Sequence, residues 1–530
     1  MHARHDEPVL LADVAATSRA LAATRSRLAK RALLVDLLGR TAPDEVPVVA
    51  RYLAGELRQR RTGLGWRSLG SLPAPADEPS LEVVAVDAVF EQMAGLSGSG
   101  SSTRRLALAR DLFAAATADE QHLLRGLVTG ELRQGALDAL LLDAVAEAAG
   151  VPAASVRRAA MLAGSTEPVA AAALGAGSPE AAEAALAGFG LTVGRPVRPM
   201  LAASAPDVAA AVAGFEGREV VVDAKLDGIR VQVHRDGDEV LVVTRSLDDI
   251  TARVPEIVAA ARGLDVRSVV LDGEALALDA DGRPRPFQET ASRSATRDAE
   301  IAAGTTLTPF FFDVLHVDGR DLLDAPLRER LAVLDAVAPA YAVERVVTSD
   351  PEVAQESFAR WVGEGQEGVI VKDAEAPYEA GRRGSAWVKV KPRHTFDLVV
   401  LAVERGSGRR TELLSNIHLG ARDPESGGFV MLGKTFKGMT DEMLAWQTRR
   451  FRELEVADDG WTVTLHPEQV VEIAIDGIQR SPRYPGGIAL RFARVLRYRD
   501  DKTPAEADTL DTVRTLGGLR AQPAGPDAGT

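Results

Sequence analysis

The chain has 530 residues, of which 46% are apolar and 26% charged, a size and texture that suit roughly two to four soluble domains. The formal net charge of -14 disfavours indiscriminate binding to polyanions, so any nucleic acid must meet local basic surfaces. Cysteine is absent, which excludes disulfides, cysteine zinc sites and thiol chemistry.

The first residues, Met1 to Glu7, lack the apolar core of a signal peptide. No later run approaches the roughly 18–20 apolar residues that span a bilayer. The expectation is a cytoplasmic protein without a membrane partner. Residues 1–190 are rich in Ala, Leu and Arg and read as helices with short breaks. In 137–149 the residues Leu137, Leu140, Leu141, Ala144, Val145 and Ala148 recur at helical spacing, and Gly150-Val-Pro stops the run. The pentapeptide Gly-Glu-Leu-Arg-Gln occurs at 55–59 and again at 130–134, each time after a helical segment. Duplication of a helical unit would leave that pattern, and so would coincidence in a biased composition. Residues 95–103 form a Gly/Ser loop ahead of Arg104-Arg105. Free backbone N–H groups there can cradle a phosphate, and a plain linker has the same composition.

A Pro-punctuated connector, 191–200, precedes a change of texture from helical to strand-rich. Residues 220–235 alternate in their second half, Asp236-Gly237 turns the chain and 240–244 returns, which predicts a hairpin. Further strands are predicted at 269–278, 308–315, 368–372 and 387–391, with helices at 325–337 and 352–363. From about Arg393 short strands separated by Gly and Asp turns follow, at 397–403, 417–421, 430–433, 470–475 and 489–495, with one helix at 441–454. Such a set suits a small barrel. The Gly/Pro/Ala-rich end is predicted to be disordered.

Lysine is scarce. Of 62 basic residues only eight are lysines, Lys30, Lys225, Lys372, Lys389, Lys391, Lys434, Lys437 and Lys502. Arginine stays protonated, whereas lysine can lose its proton and attack, so these few positions are where chemistry is sought first. Taken singly, each also fits residual surface charge. Lys225-Leu-Asp-Gly-Ile-Arg230 closes an apolar strand with a tight turn, the kind of setting in which burial and nearby cations activate an amine. Alternation in Trp387-Val-Lys389-Val-Lys391 puts both lysines on one face, tolerable if exposed and favoured if a polyphosphate lies between them. Glu274, in Asp272-Gly-Glu, and Glu367, before Gly368, sit at strand ends and can share a Mg2+ that neutralises such a phosphate. Phe312, ahead of Asp313, offers a face for stacking a base or for core packing. Lys434 and Lys437 read as loop charges that lean toward DNA contact. Of the eight histidines only His2 and His5 are neighbours, on a terminus prone to fray, which argues against a His-ligated metal.

Together, Lys225-x-Asp-Gly-x-Arg, Thr244-Arg245-x-x-Asp, Asp-Gly-Glu274, Phe312-Asp, Glu367-Gly, Trp387-x-Lys389-x-Lys391 and Arg499-Asp-Asp-Lys502 fall in the order of the covalent nucleotidyltransferases. The chain resembles the ATP-dependent DNA ligases within that superfamily, nearest to the archaeal and actinobacterial type. The resemblance implies a multidomain protein. An all-α DNA-binding domain would span 1–190 and an α+β nucleotidyltransferase domain, ATP-grasp-like, 191–392. A β-barrel OB-fold domain would span 393–512, with a disordered tail at 513–530.

The resemblance also implies roles. Lys225 would take AMP, and Arg230 and Arg245 would contact the nucleotide and later the nick phosphate. Glu274 would bind ribose or metal, Glu367 the metal, and Phe312 would stack on adenine. Arg383 would approach ATP, Lys389 and Lys391 would grip the α-phosphate, and Arg499 and Lys502 would orient the departing pyrophosphate. Asp223 stands where relatives often carry Glu, and its backbone would read adenine; Ser246 stands where many have Asn. ATP and Mg2+ would be the cofactors and nicked duplex DNA the partner of a monomeric enzyme, with the barrel rotating between steps. Work in replication, recombination or repair is implied, and sliding-clamp or repair partners are left open. An RNA ligase or capping enzyme is the nearest alternative, disfavoured by the long helical N-terminus, and a DNA-binding scaffold with a dead nucleotide site is the other. NAD as donor is disfavoured because that ligase class carries a cysteine zinc module.

Overall fold

Apolar side chains three and four apart put the first 190 residues into helices in the computed structural model. It describes residues 8–516 except 60–61, 133, 135–137, 297–304, 380–382 and 408–409. The chain divides into two compact units, Met1–Val390 and Lys391–Thr530. In the first, α1 (Leu11–Ala23), α2 (Arg27–Arg40), α3 (Val46–Leu53), α4 (Val83–Gly95), α5 (Ser101–Ala115), α6 (Ala118–Thr129), α7 (Asp138–Ala149), α8 (Ala153–Ala163), α9 (Glu167–Gly175) and α10 (Pro179–Ala187) come first. One core joins them, with Leu11, Leu34, Tyr52, Phe90, Phe113 and Leu141 fully buried. Of the expected stripe on α7, Leu140, Leu141, Ala144 and Val145 are buried and Ala148 partly so, Leu137 lies outside the described residues, and Leu142 and Ala146 are buried as well.

The repeated pentapeptide has a physical sense. Gly55 and Gly130 follow helix ends with positive φ, 80° and 68°, and four residues on Gln59 and Gln134 are both buried. Gln59 Nε2 donates to Asp87 Oδ1 at 3.0 Å, and Gln134 Nε2 to the Leu53 carbonyl at 3.5 Å. Both copies thus end a helix and turn an amide into the core. The Gly/Ser loop is shorter than its composition suggests, because Ser101 already starts α5. Arg105 donates to the carbonyls of Met93 and Leu96 at 3.1 and 2.8 Å, satisfying the C-terminal end of α4.

The connector is held fast. Val197 N–H donates to Gln232 Oε1 at 2.7 Å and its carbonyl accepts from Gln232 Nε2 at 3.0 Å, while Gly194 N–H donates to His234 Nδ1 at 3.1 Å. His234 is fully buried, and burial pushes its imidazole down to about 4. Neutral imidazole is the form that can accept from Gly194.

Two five-stranded sheets follow. One contains β1 (Leu201–Ser204), β2 (Val220–Lys225), β8 (Arg345–Thr348), β9 (Gly368–Asp373) and β10 (Arg383–Val390), in the order β1-β10-β9-β2-β8. The other contains β3 (Ile229–Asp236), β4 (Glu239–Thr244), β5 (Ser268–Ala277), β6 (Leu307–Val317) and β7 (Arg320–Asp321), in the order β4-β3-β5-β6-β7. Val220, Val222, Ala224, Val369, Val371 and Val390 pack on α11 (Val208–Ala213) and α15 (Pro351–Gly363). That leaves the opposite face of β2, β9 and β10 for chemistry. Helices α12 (Pro255–Arg262), α13 (Phe287–Ala295) and α14 (Leu327–Val337) accompany the second sheet.

Strand β10 stops at Val390, one residue short of the predicted end. Lys391 therefore does not extend the strand face of Trp387 and Lys389, and it belongs to the second unit. Pro392 is the reason: it has no N–H for a ladder and restricts the residue before it.

Arg330 of α14 and Asp313 of β6 are both fully buried and doubly bonded, Nε to Oδ1 at 2.7 Å and Nη2 to Oδ2 at 2.9 Å. Nη1 donates to the Ala325 and Ala376 carbonyls at 2.6 and 3.0 Å. Arg330→Met strands the Asp313 charge and should cost about 3–5 kcal/mol, read as a lower denaturant midpoint. Arg330→Met/Asp313→Leu should recover most of it, and an unshifted midpoint for the single variant would refute the expectation.

The second unit is built on β11 (His394–Arg405), which is long enough to serve three neighbours. It pairs with β12 (Leu414–Arg422) along one edge. Along the other its first half pairs with β16 (Val470–Ile475) and its second with β15 (Thr462–Leu465). A register shift beside Leu401 marks the change. With β13 (Phe429–Thr435), β14 (Glu455–Asp458) and β19 (Arg494–Tyr498) this makes a seven-stranded sheet. Among the described residues its path does not close into the expected barrel, although α16 (Asp441–Glu453) and the pair β17 (Gly477–Arg480) and β18 (Ile488–Arg491) complete the core. The strand expected at 489–495 is divided between β18 and β19, because Phe492 turns out of extended geometry at φ 53°. The disordered tail expected from 513 is instead helical at first: α17 (Leu510–Leu516) anchors Leu510 and Val513, three apart, in the core. Residues 517–530 lie outside the described residues.

Candidate active site

Strand β2 delivers Lys225 at the point where its pairing with β9 ends, opposite Gly368. The Lys225 carbonyl accepts from Glu367 N–H at 2.8 Å, and Lys225 Nζ donates to the Glu367 carboxylate. The two side chains are 19% and 14% exposed, enough for a substrate to reach and too little for full hydration. The Asp-Gly after Lys225 has a steric cause. A Cβ on Gly228 would lie 2.3 Å from the Ala275 carbonyl oxygen, and one on Gly273 2.5 Å from that of Phe310. Only glycine lets these backbones pass so near one another.

Strand β3 carries Arg230, directly opposite Glu274 on β5. Arg230 Nε and Nη2 donate to the two oxygens of Asp272 at 3.0 and 2.6 Å, and Nη1 to the Met200 carbonyl at 2.6 Å. Burial works against its charge, but Asp272 outweighs it and holds the guanidinium above its ordinary range. Tyr378 Oη donates to the same Asp272 at 2.7 Å and accepts from Met200 N–H at 3.0 Å. Glu274 differs. Burial pushes its carboxyl up to about 7, Asp272 and Glu367 push the same way, and Lys225 and Arg230 oppose them. Lys225, Glu367, Glu274 and Arg230 therefore form one electrostatic cluster.

Phe312 owes its position to a break in the ladder. Asp272 pairs with Asp313 and Gly273 with Phe311, so Phe312 is the extra residue of a β-bulge. Phe311 packs in the core of the second sheet, whereas Phe312 is half-buried beside Trp387, its ring centroid 5.8 Å away and edge-on. The Arg230 guanidinium lies 5.3 Å from the Phe312 ring.

On the first sheet Asp223, Ile370 and Lys389 form one cross-strand row, and Val221, Lys372 and Trp387 the next. Asp223 is 2% exposed and ion-paired to Lys372 at 2.5 Å. Burial raises its carboxyl against the pull of that lysine. Arg245 is exposed just past β4, beyond the Thr244–Val231 pair. Ser246 Oγ donates to Asp248 Oδ2 at 2.6 Å. The backbone of Arg383 starts β10 opposite Leu201, and its side chain lies outside the described residues.

Lys391, Arg499 and Lys502 belong to the second unit. There Arg499 Nη1 and Lys502 Nζ reach Asp397 at 3.2 and 2.5 Å, and Arg499 also holds Asp501 at 2.7 Å. Asp397 was not singled out from sequence, and an aspartate opening an apolar strand gives little signal. Lys372 had one, its place among eight lysines.

A family model described as ATP dependent DNA ligase domain matches residues 199–391, and two others, DNA ligase N terminus and ATP dependent DNA ligase C terminal region, match 70–146 and 410–502. A protein named Probable DNA ligase from Beutenbergia cavernae is 73% identical over 513 residues, spanning 96% of this chain and 100% of its own length. The chain belongs to the ATP-dependent DNA ligase family. A Probable DNA ligase from Kineococcus radiotolerans is 64% identical over 512 residues, again across 96% of this chain and 100% of that relative. The solved structure named Pmar-Lig_Pre aligns over 92% of this chain and 99% of its own with a TM-score of 0.58 at 18% identity, a likeness of fold alone.

As a member of the DNA ligase family, the chain is a multidomain, ATP-using enzyme. A helical N-terminal region precedes a nucleotidyltransferase domain and an OB-fold-type C-terminal domain. Among the described residues no helix is long and apolar enough to cross a membrane. No group of three or more His, Asp or Glu side chains there forms a ready metal cage. A pair of carboxylates still fits a magnesium ion, which keeps several waters and shares its shell with substrate phosphates.

Proposed function

We propose that this DNA ligase family member seals nicks in duplex DNA by carrying AMP on Lys225. The observation that carries the reading is the amine of Lys225 in contact with Glu367, in a cluster with Glu274 and Arg230. Lys225 Nζ attacks the α-phosphorus of ATP. An N–P bond forms, the bridging P–O bond to the β-phosphate breaks, and pyrophosphate leaves with the electron pair. Glu367 is the neighbouring acceptor for the departing proton. AMP then passes to the 5′-phosphate of the nick, and the 3′-hydroxyl displaces it.

These transfers need positioning and charge neutralisation more than new covalent partners. Phe312 stacks on adenine and the backbone at Asp223 reads its edge, with Arg383 nearby. Lys389 and Lys391 hold the α-phosphate, Arg230 and Arg245 the nucleotide and then the nick. Arg499 and Lys502, from the OB-fold-type C-terminal domain, orient pyrophosphate. A divalent cation on Glu274 and Glu367, Mg2+ by preference, would supply further charge neutralisation at the triphosphate. The enzyme works as a cytoplasmic monomer in replication, recombination or repair.

The test is ligation of a singly nicked duplex with Mg2+ and either ATP or NAD. Sealing with ATP and none with NAD is expected. Sealing of nicked RNA in preference to nicked DNA would replace this reading with an RNA ligase.

A further inference from the structure

Lys372 has no role in the mechanism above, yet it is among the most completely buried cations of the first unit, 1% exposed. An ammonium in such a place must be compensated on every side. Its partners come from both sheets. Asp223 Oδ2, on the strand that carries Lys225, lies 2.5 Å away. From the second sheet the Phe312 carbonyl accepts from Nζ at 3.2 Å. The rings of Phe312 and Trp387 flank the ammonium, with centroids at 4.7 and 4.4 Å.

Phe312 needs such a hold. As the bulged residue of β6 it has no cross-strand partner to fix its direction, and bulges are where a strand re-aims a side chain. Lys372 grips both the ring, through its charge, and the main chain, through the carbonyl.

We propose that Lys372 is a positioning residue that ties the Phe312 ring, through Asp223, to the strand bearing Lys225, so that base and nucleophile share one frame. The inference rests on Phe312 being the adenine platform. Arg230 lies near the same ring and also reaches the first sheet, at the Met200 carbonyl beside β1 and over the Trp387 ring, but its guanidinium is doubly bonded to Asp272 of its own sheet. Lys372 is the cation paired with Asp223, on the strand that bears Lys225.

The experiment measures formation of the covalent adenylate in the full-length protein as a function of ATP. Lys372→Met keeps the length of the side chain and removes the charge. KM for ATP should rise about tenfold, while the rate at saturating ATP stays within about threefold. Lys372→Arg, which keeps a cation, should restore part of the affinity. Phe312→Ala should raise KM as well. Because Lys372 acts through that ring, Phe312→Ala/Lys372→Met should be no worse than Phe312→Ala.

An unchanged KM in Lys372→Met, or two effects that multiply in the double variant, overturns the proposal and leaves the platform reading intact. An unchanged KM in Phe312→Ala overturns both. Should the lone charge of Asp223 prevent Lys372→Met from folding, Asp223→Asn/Lys372→Met compared with Asp223→Asn makes the same measurement.

Discussion

Lys225→Ala protein incubated with ATP radiolabelled at the α-phosphate and Mg2+ should carry no covalent label, while the unaltered protein becomes labelled. Lys389 and Lys391 serve the α-phosphate as charges in this scheme, and two further cations near Lys225 are unsuited to replace it. Arg230 lies in the same cluster but is doubly bonded to Asp272 and is not a nucleophile. Lys372 is almost fully buried, enclosed by Asp223 and two rings. Loss of a covalent nucleophile costs on the order of 10⁴-fold or more. The same variant should still close a nick that already carries AMP on its 5′-phosphate, because the last transfer uses the 3′-hydroxyl of DNA as nucleophile. That contrast separates a missing amine from a damaged fold, as does an unchanged melting profile. A labelled Lys225→Ala protein would end the assignment.

Much of this site can be read in the chain before any coordinates, and the reason is steric as well as chemical. Gly228 and Gly273 mark places where backbones touch, so the Asp-Gly dipeptides beside Lys225 and Glu274 carry information that survives without structure. Alternation gives β3 and β4, and Asp236-Gly237 gives the hairpin between them. What escapes is whatever breaks periodicity or comes from afar. The run of three phenylalanines does not say which ring lies beside Arg230 and Trp387, because the bulge at Phe312 resets the alternation. Trp387, Lys389 and Lys391 look like one face until Pro392 ends the strand. The Pro-punctuated connector looks free, but Gln232 and His234, some 40 positions away from Gly194 and Val197 at most, hold it. Lys372 reads as the polar end of an apolar strand, since only tertiary pairing puts Asp223 and two rings around it.

The carboxyl of Glu274 sets up the second large effect, on pH. It must be ionised to draw a cation or a ribose hydroxyl, and its ionisation is displaced from 4.5 to about 7. Adenylate formation should therefore climb about tenfold per pH unit below 7 and level off above it. Glu274→Gln should be slower by on the order of 10²-fold and should lack that inflection. Stability must move the other way. Between about 4.5 and 7 the native state holds a proton on Glu274 that the unfolded chain has released, so stability is lost as pH rises through that window, by about 3 kcal/mol in all. His234 opposes it. Its pKa falls from 6.5 to about 4, so its contribution is lost as pH falls through that range, again by about 3 kcal/mol. From 4.5 to 6.5 the two nearly cancel in the unaltered protein. Glu274→Gln removes one side only, and its unfolding free energy should gain on the unaltered protein steadily from pH 4.5 to 7. A constant difference across that range would mean that Glu274 ionises as an ordinary surface carboxylate. The site would then lose its physical reason for favouring a bound cation, because that preference arises from a buried charge the fold itself leaves only partly compensated.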